Sequence, residues 1–303
     1  MKRPVTFLAV ATLAGTSITA APSMAQAQEV NVYSYRQPEL IAPLTEAFTE
    51  QTGIAVNVAY LNKGMVERLA AEGANLVLSS RRLEALQEVA AEITSKHDVN
   101  VVCDPVDLTN TEALAAFCDR IREDYQPDML LSNAGGPPPS PAIGVDQDVW
   151  KSSAQGLLFS LIQVTETAVE SMRAKKWGRI VTIGSSGVVQ PIPNLAVSNT
   201  IRGAMAGFCK TLSAEVAGDG ITVNMILPGK IDTKRVGQLD TARAGREGKT
   251  LEEVRTQIAA SLPAKRYGQP EEFANVAAFL MSEPASYVTG QMTRVDGGMI
   301  ASI

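Results

Sequence analysis

An α/β fold built on a doubly wound parallel sheet is what this chain predicts, and three observations carry that expectation. Short apolar runs alternate with amphipathic helical stretches from about residue 67 to Ile303. Strands flanked by helices form right-handed crossover units, which give a parallel sheet covered on both faces. The composition, 45% hydrophobic and 19% charged over 303 residues, supplies a sizeable core and argues against global disorder. In such sheets the ligand lies beyond the carboxyl ends of the strands, so candidate functional residues are sought there.

The elements follow in order. Glu29–Ser34 is a short β-type run, Gln37–Gln51 a helix ended by Gly53, and residues 54–60 (IAVNVAY) a second alternating strand. A helix over Gly64–Glu72 precedes strand Ala74–Ser80, helix Arg82–Ser95 and strand Val99–Cys103. Thr109–Asp124 is a helix opened by a Thr-x-x-Glu-like cap, followed by strand Asp128–Ser132, the long helix Gln147–Lys176 and strand Arg179–Gly184. Helix Ser198–Ala217, strand Thr222–Leu227, helices Leu251–Ala260 and Pro270–Met281, and strand Gln291–Val295 complete the series. The variable segment Gln238–Pro263, rich in charge and alanine, is expected to be a lid.

The net charge of -5, with no basic cluster and no interleaved aromatics, excludes a nucleic-acid or anionic-membrane partner. Cys103, Cys118 and Cys209 lack metal or redox spacing and are expected as small apolar or surface thiols; no metal site is expected from the main body. His97, the sole histidine, falls in a polar loop and is expected to be solvated.

Residues 1–27 have a different character. Lys2 and Arg3, the apolar run Val5–Ala14 and the small-x-small site Ala25–Ala27 form the pattern of a secretory signal peptide, too short for a membrane span. That address is periplasmic or secreted, whereas three unpaired thiols suit a cytoplasmic fold. Residues 28–66 continue the first address. The stretch VNVYSYRQPELIAPLTEAFTEQTGIAVNVAYLNKGMVERL resembles the start of a periplasmic iron-binding protein of ABC importers, a resemblance covering about residues 1–73. It implies that Tyr33 or Tyr35 falls near a ferric-ligand position, although such a site needs several tyrosines from two lobes.

Asp107-Leu108-Thr109, Asn133-Ala134-Gly135, Pro228-Gly229 with Ile231 and Thr233, and the tail RYGQPEEFANVAAFLMSEPASYVTGQMTRVDGG occur in the order and spacing of short-chain dehydrogenases/reductases. About residues 67–303 thus resemble that family, and 3-oxoacyl-carrier-protein reductases within it. The resemblance implies a Rossmann-like fold, an NADP or NAD cofactor, a small-molecule carbonyl/alcohol substrate and a homo-oligomer built on the helices Gln147–Lys176 and Ser198–Ala217. Asp107 would meet the adenine edge, Asn133, Ala134 and Gly135 would border the cofactor, and Pro228, Gly229, Ile231 and Thr233 would lie beside the nicotinamide amide. Ser80 and Arg81 follow the second strand of the family's sheet, where a basic residue favours the NADP 2′-phosphate.

The chain departs from the family in two places. Where Thr-Gly-x-x-x-Gly-x-Gly is expected, Ala59–Met65 carries one glycine. ERLAAEGAN fits both families and is the joint between them, so residues 54–60 are expected to supply the first strand of the sheet, with Lys63 and the next helix N-terminus retaining some anion affinity. Where the family carries Ser, then Tyr-x-x-x-Lys thirteen residues on, this chain has Ser185, then Ser198-Asn-x-x-Arg202. No tyrosine lies between Tyr125 and Tyr267, and Gln155, Gly156 and Leu157 fill the region of the family's helical asparagine. Ser185 and Ser198 would hold a substrate oxygen and Arg202 would meet the cofactor ribose. An altered enzyme, a binding module without turnover, and a ferric-binding fragment all stay open.

Overall fold

The computed structural model describes residues 64–302, together with the backbone of 29–33 and 55–59. The signal-peptide segment, the helix expected over 37–51, Tyr35 and Lys63 lie outside the described residues. The chain divides into two compact units, Met1–Ala59 and Tyr60–Ile303.

In the first unit β1 (Glu29–Tyr33) and β2 (Ala55–Ala59) form a two-stranded parallel sheet, Glu29 opposite Ala55 and Tyr33 opposite Ala59. This corrects the expectation that residues 54–60 would supply the first strand of the main sheet. An alternating pattern specifies a strand, and it leaves the partner open.

In the second unit α1 (Gly64–Ala71) leads into β3 (Leu76–Ser80), α2 (Leu83–Lys96) and β4 (Val101–Pro105). β3 and β4 pair in parallel, Leu76 opposite Val101. Next come α3 (Thr111–Arg120), which widens into a π-turn over Ile121–Tyr125, and β5 (Met129–Ser132). The helix that follows has three parts: α4 (Gln147–Ala154), a π-turn (Gln155–Phe159) and α5 (Ser160–Lys175). β6 (Gly178–Ile183), α6 (Ala196–Val216), β7 (Ile221–Pro228), α7 (Lys234–Glu247), α8 (Leu251–Ser261), α9 (Pro270–Met281) and β8 (Met292–Val295) complete the unit. Strands β5-β6-β7-β8 form a second parallel sheet in that order.

Alternation along the central strands explains the double winding. Ile180, Val223, Met225 and Leu227 pack with Leu161, Ala168, Met172 and Met205 of α5 and α6. Val181 and Ile226 turn the other way and meet Phe273, Ala277 and Leu280 of α9, with Met65 and Leu69 of α1 beside them. Ala70 of the same short helix packs with Leu78 of β3 and Leu86 and Ile93 of α2. One helix therefore touches the cores of both sheets in this unit.

No strand among the described residues joins β3 to β5. Burial differs between the two sheets: β6 and β7 are sealed almost throughout, while Val77 on β3 and Val102 on β4 are 41% and 44% exposed. A parallel strand lacking one neighbour keeps unpaired amides and open apolar faces.

The helix signals differ from the expected ones in two places. α3 is capped by Asn110, whose Oδ1 accepts from Glu112 N and Ala113 N, 3.0 Å each, and not by Thr109. The Gln238–Pro263 segment, expected as a lid, falls within α7, α8 and their connections, and α7 is a helix the periodicity did not mark.

Candidate active site

The candidate residues gather at the carboxyl ends of the parallel strands. Ser80 ends β3 and accepts a 3.4 Å bond from Arg82 N, leaving Arg81 exposed on the turn. Beyond β4, Asp107 Oδ1 accepts from Thr109 N (2.9 Å) and the Thr109 hydroxyl (2.7 Å). Those two bonds, with the nearby positive charge of Arg81, hold the Asp107 carboxyl below the usual carboxylate range. Arg81 and Asp107 thus share one edge.

Asn133, Ala134 and Gly135 follow β5 directly, and Ser185 follows β6 by two residues. Ser185 caps the single turn Ser186–Val188, its Oγ accepting from Gly187 N at 3.0 Å. Ser198 stands in the first turn of α6, half-buried. One turn on, Arg202 donates from Nη1 to Ile183 O (2.8 Å) and from Nη2 to Ala134 O (3.2 Å). Arg202 therefore clasps the ends of β5 and β6, and this planar fork with two fixed acceptors explains why an arginine suits the position. The structure brings Ala134, Ile183 and Arg202 together beside Ser185.

Gly229 directly follows β7 with its N–H on Val295 O (3.0 Å), and a methyl there would strike the Asp296 backbone. Ile231, 6% exposed, bridges Gly268, and Thr233 caps α7 by accepting from Val236 N at 3.4 Å. Behind this segment is a buried polar network that sequence reasoning missed. Asp240, 1% exposed, accepts from the Tyr267 hydroxyl at 2.9 Å and lies 3.6 Å from Lys230 Nζ. Arg255 pairs with Asp232 at 2.7 Å and stacks on the Tyr267 ring at 4.4 Å. Burial, then the Asp240 carboxylate, pushes the Tyr267 phenol well above its ordinary value. The phenol is thus buried with its proton committed to Asp240.

The π-turn supplies another unforeseen link. Gln155 Nε2 donates to Ser160 Oγ (3.2 Å), and that hydroxyl donates to Leu108 O (2.5 Å), joining the long helix to the Asp107 segment. A methyl on Gly156 would crowd Thr109 Cγ2 at 3.1 Å, so the helix passes close to that segment. Asn199 was likewise missed, because it reads as a mere spacer inside Ser198-x-x-x-Arg202. Cys118 and Cys209 are buried free thiols, and burial raises the Cys209 thiol. Among the described residues no cluster of His, Cys, Asp and Glu could hold a metal, and no helix is long and apolar enough to cross a membrane.

A parallel α/β unit with its polar residues along the carboxyl edge defines the class: a dinucleotide-type oxidoreductase fold. Comparison with known proteins makes it specific. The family model described as enoyl-(acyl carrier protein) reductase matches residues 51–300, and the chain belongs to the short-chain dehydrogenase/reductase family. It is 30% identical over 243 residues to the 3-oxoacyl-[acyl-carrier-protein] reductase FabG of Escherichia coli, covering 79% of this chain and 92% of that one. Among solved structures, YwfH, an NADPH-dependent reductase of bacilysin biosynthesis, superposes with a TM-score of 0.76 at 29% identity, covering 80% of this chain and 94% of that chain. The L-sorbose reductase of Gluconobacter frateurii, complexed with NADPH and L-sorbose, gives 0.75 at 30% identity over 79% and 92%.

Proposed function

We propose that this chain is an NADP(H)-linked oxidoreductase acting on a small-molecule carbonyl/alcohol pair through an altered proton-transfer site. The observation that carries the reading is the Arg202 clasp on Ile183 and Ala134, which keeps a cation beside Ser185 where the family carries its lysine. The cofactor fits at both ends of the carboxyl edge. Arg81 beside Asp107 would hold the adenosine end with its 2′-phosphate, aided by Ser80. Asn133, Ala134, Gly135, Pro228, Gly229, Ile231 and Thr233 would border the nicotinamide end. When bound, the cofactor supplies the hydride chemistry.

The residues of the chain supply orientation more than acid–base work. Ser185 would hold the substrate oxygen and Ser198 would be its second contact, donating hydrogen bonds without giving up protons. An aliphatic hydroxyl is a far weaker acid than a phenol, and a guanidinium keeps its proton throughout the working pH range. General acid–base help contributes about 10²–10⁴-fold, so its loss slows turnover without abolishing it.

A second reading, a dinucleotide-binding protein without turnover, is favoured by the same clasp, because Arg202 already spends donors on two backbone carbonyls. NADPH titration followed by a ketone panel separates the two: saturable binding with ketone-dependent oxidation supports the enzyme, and binding alone supports the module. The proposal keeps residues 67–303 as the oxidoreductase body, 28–66 as a segment like the start of an iron-binding protein, and 1–27 as a signal peptide directing export. N-terminal sequencing of the mature chain checks the last point. A homo-oligomer through α4–α6 is supported by the apolar groove of Trp150, Leu158, Phe159 and Ile201, with Phe159 56% exposed.

A further inference from the structure

Ser185 and Ser198 sit on different elements, and the connection between them contains Gln190-Pro191-Ile192-Pro193-Asn194. Two prolines remove two backbone donors, so Ile192 holds the one N–H of the Pro-Ile-Pro unit. A residue before proline is confined to extended backbone, where its own N–H and C=O point the same way. A primary amide, with one acceptor and one donor side by side, is the side chain that satisfies both. Asn199 does this: Ile192 N donates to Asn199 Oδ1 at 3.3 Å, and Asn199 Nδ2 donates to Ile192 O at 3.0 Å.

The same carboxamide closes against Gly187. A methyl group on Gly187 would collide with Asn199 Oδ1, and would also come within 3.3 Å of Ser185 Oγ. Gly187 N is the donor that caps Ser185 Oγ. A continuous set of contacts therefore runs from Ile192 through Asn199 and Gly187 to Ser185, and Ser198 directly precedes the residue at its centre. The helix start is fixed independently, by Asn199 N on Leu195 O (2.8 Å) and Ala196 N on Ser140 O (3.2 Å).

We propose that Asn199 is the positioning residue of the site: its carboxamide fastens the Gly187–Asn194 connection to the first turn of α6 and so sets Ser185 relative to Ser198. This rests on the reading of those two serines as substrate contacts. Asn199 itself touches no reacting atom, and acts through Gly187 and Ile192.

The test is hydrogen exchange by mass spectrometry on the full chain, paired with kinetics, for Asn199→Ala, Asn199→Asp, Gly187→Ala and the double variant Gly187→Ala/Asn199→Ala. Asn199→Asp keeps the size and one acceptor but lacks the donor, so it serves if the alanine variant fails to fold. Exchange in peptides covering 186–195 should quicken by about tenfold in each single variant, while β7 and α9 stay protected. A methyl on Gly187 displaces the same carboxamide, so the double variant should exchange no faster than Gly187→Ala alone. kcat should fall by about tenfold with the NADPH Kd unchanged. Unchanged exchange in 186–195, multiplying effects of the two substitutions, or a loosened connection with full kcat overturns the proposal. If the wild-type chain neither binds NADPH nor oxidises it with a ketone, the proposed function fails, and the exchange cycle alone decides whether Asn199 fastens the connection.

Discussion

Placing a tyrosine at position 198 and a lysine at position 202 is the perturbation that most clearly separates the proposed reductase from a binding module without turnover. Ser198→Tyr with Arg202→Lys would put a phenol and an ammonium at the same helical spacing. Ser198 is half-buried in the first turn of α6, with Arg202 one turn on. The gain expected from a competent general acid is about 10²–10⁴-fold in kcat. At 1.36 kcal/mol per decade that is about 2.7–5.4 kcal/mol of barrier. Against it stands the loss of the Arg202 fork, whose bonds to Ile183 O and Ala134 O a lysine can only partly replace. Charge-assisted bonds of this kind are worth about 1.5–3 kcal/mol, so the double variant should melt somewhat earlier while turning over faster. The assay is steady-state NADPH oxidation with a ketone panel, with NADPH affinity measured alongside. Arg202→Lys alone should not raise the rate, because no phenol is present for the ammonium to activate. If the double variant binds NADPH as the wild type does yet shows no gain on any ketone, proton transfer is not what limits this site.

Other consequences follow from single contacts. Arg81→Ala should weaken NADPH binding by about tenfold, the equivalent of about 1.4 kcal/mol, and leave NADH binding unchanged, as titrations of both nucleotides would reveal. Asp240→Ala leaves Lys230 and the Tyr267 hydroxyl without their buried carboxylate partner and should cost about 3 kcal/mol in urea denaturation, at the lower end for broken buried pairs because Lys230 is 31% exposed. Glu272 titrates at about 2, held down by Arg266 and then by Gln269 N–H. A depressed carboxylate stabilises the fold above its unfolded value near 4.3, and that stabilisation is lost as pH falls through about 2. Glu272→Gln should therefore flatten part of the stability curve between those values, by under about 1 kcal/mol because the pair is solvent-screened.

Much of the fold was legible because buried parallel strands are short apolar runs bounded by helices. β5, β6, β7 and β8 fall within one residue of their expected bounds, and α9 coincides with Pro270–Met281. Partnership was less legible than existence. Residues 55–59 are a strand as expected, but its partner is β1, since hydrophobic alternation carries no address. The two π-turns escaped notice because one extra residue per turn hardly disturbs an apolar stripe. α7 went unseen as a helix because its charge and its two glycines hide any periodicity.

For the site, residue types marked the edge, and geometry assigned the work. Ser185, Asp107, Asn133 and Pro228 were picked out by their resemblance to the family's motifs. That Arg202 spends donors on backbone carbonyls, that Tyr267 is locked to Asp240, and that Asn199 holds Ile192 needed three dimensions. The Pro-Ile-Pro segment was the available clue for Asn199, since it announces one backbone donor in need of a nearby acceptor.

The central claim is that the carboxyl edge of this sheet binds NADPH. Titration of the purified chain with NADPH, following nucleotide fluorescence, tests it most directly. The account predicts a saturable change that Arg81→Ala weakens. No change up to millimolar NADPH, in a chain whose circular dichroism confirms folding, would contradict it.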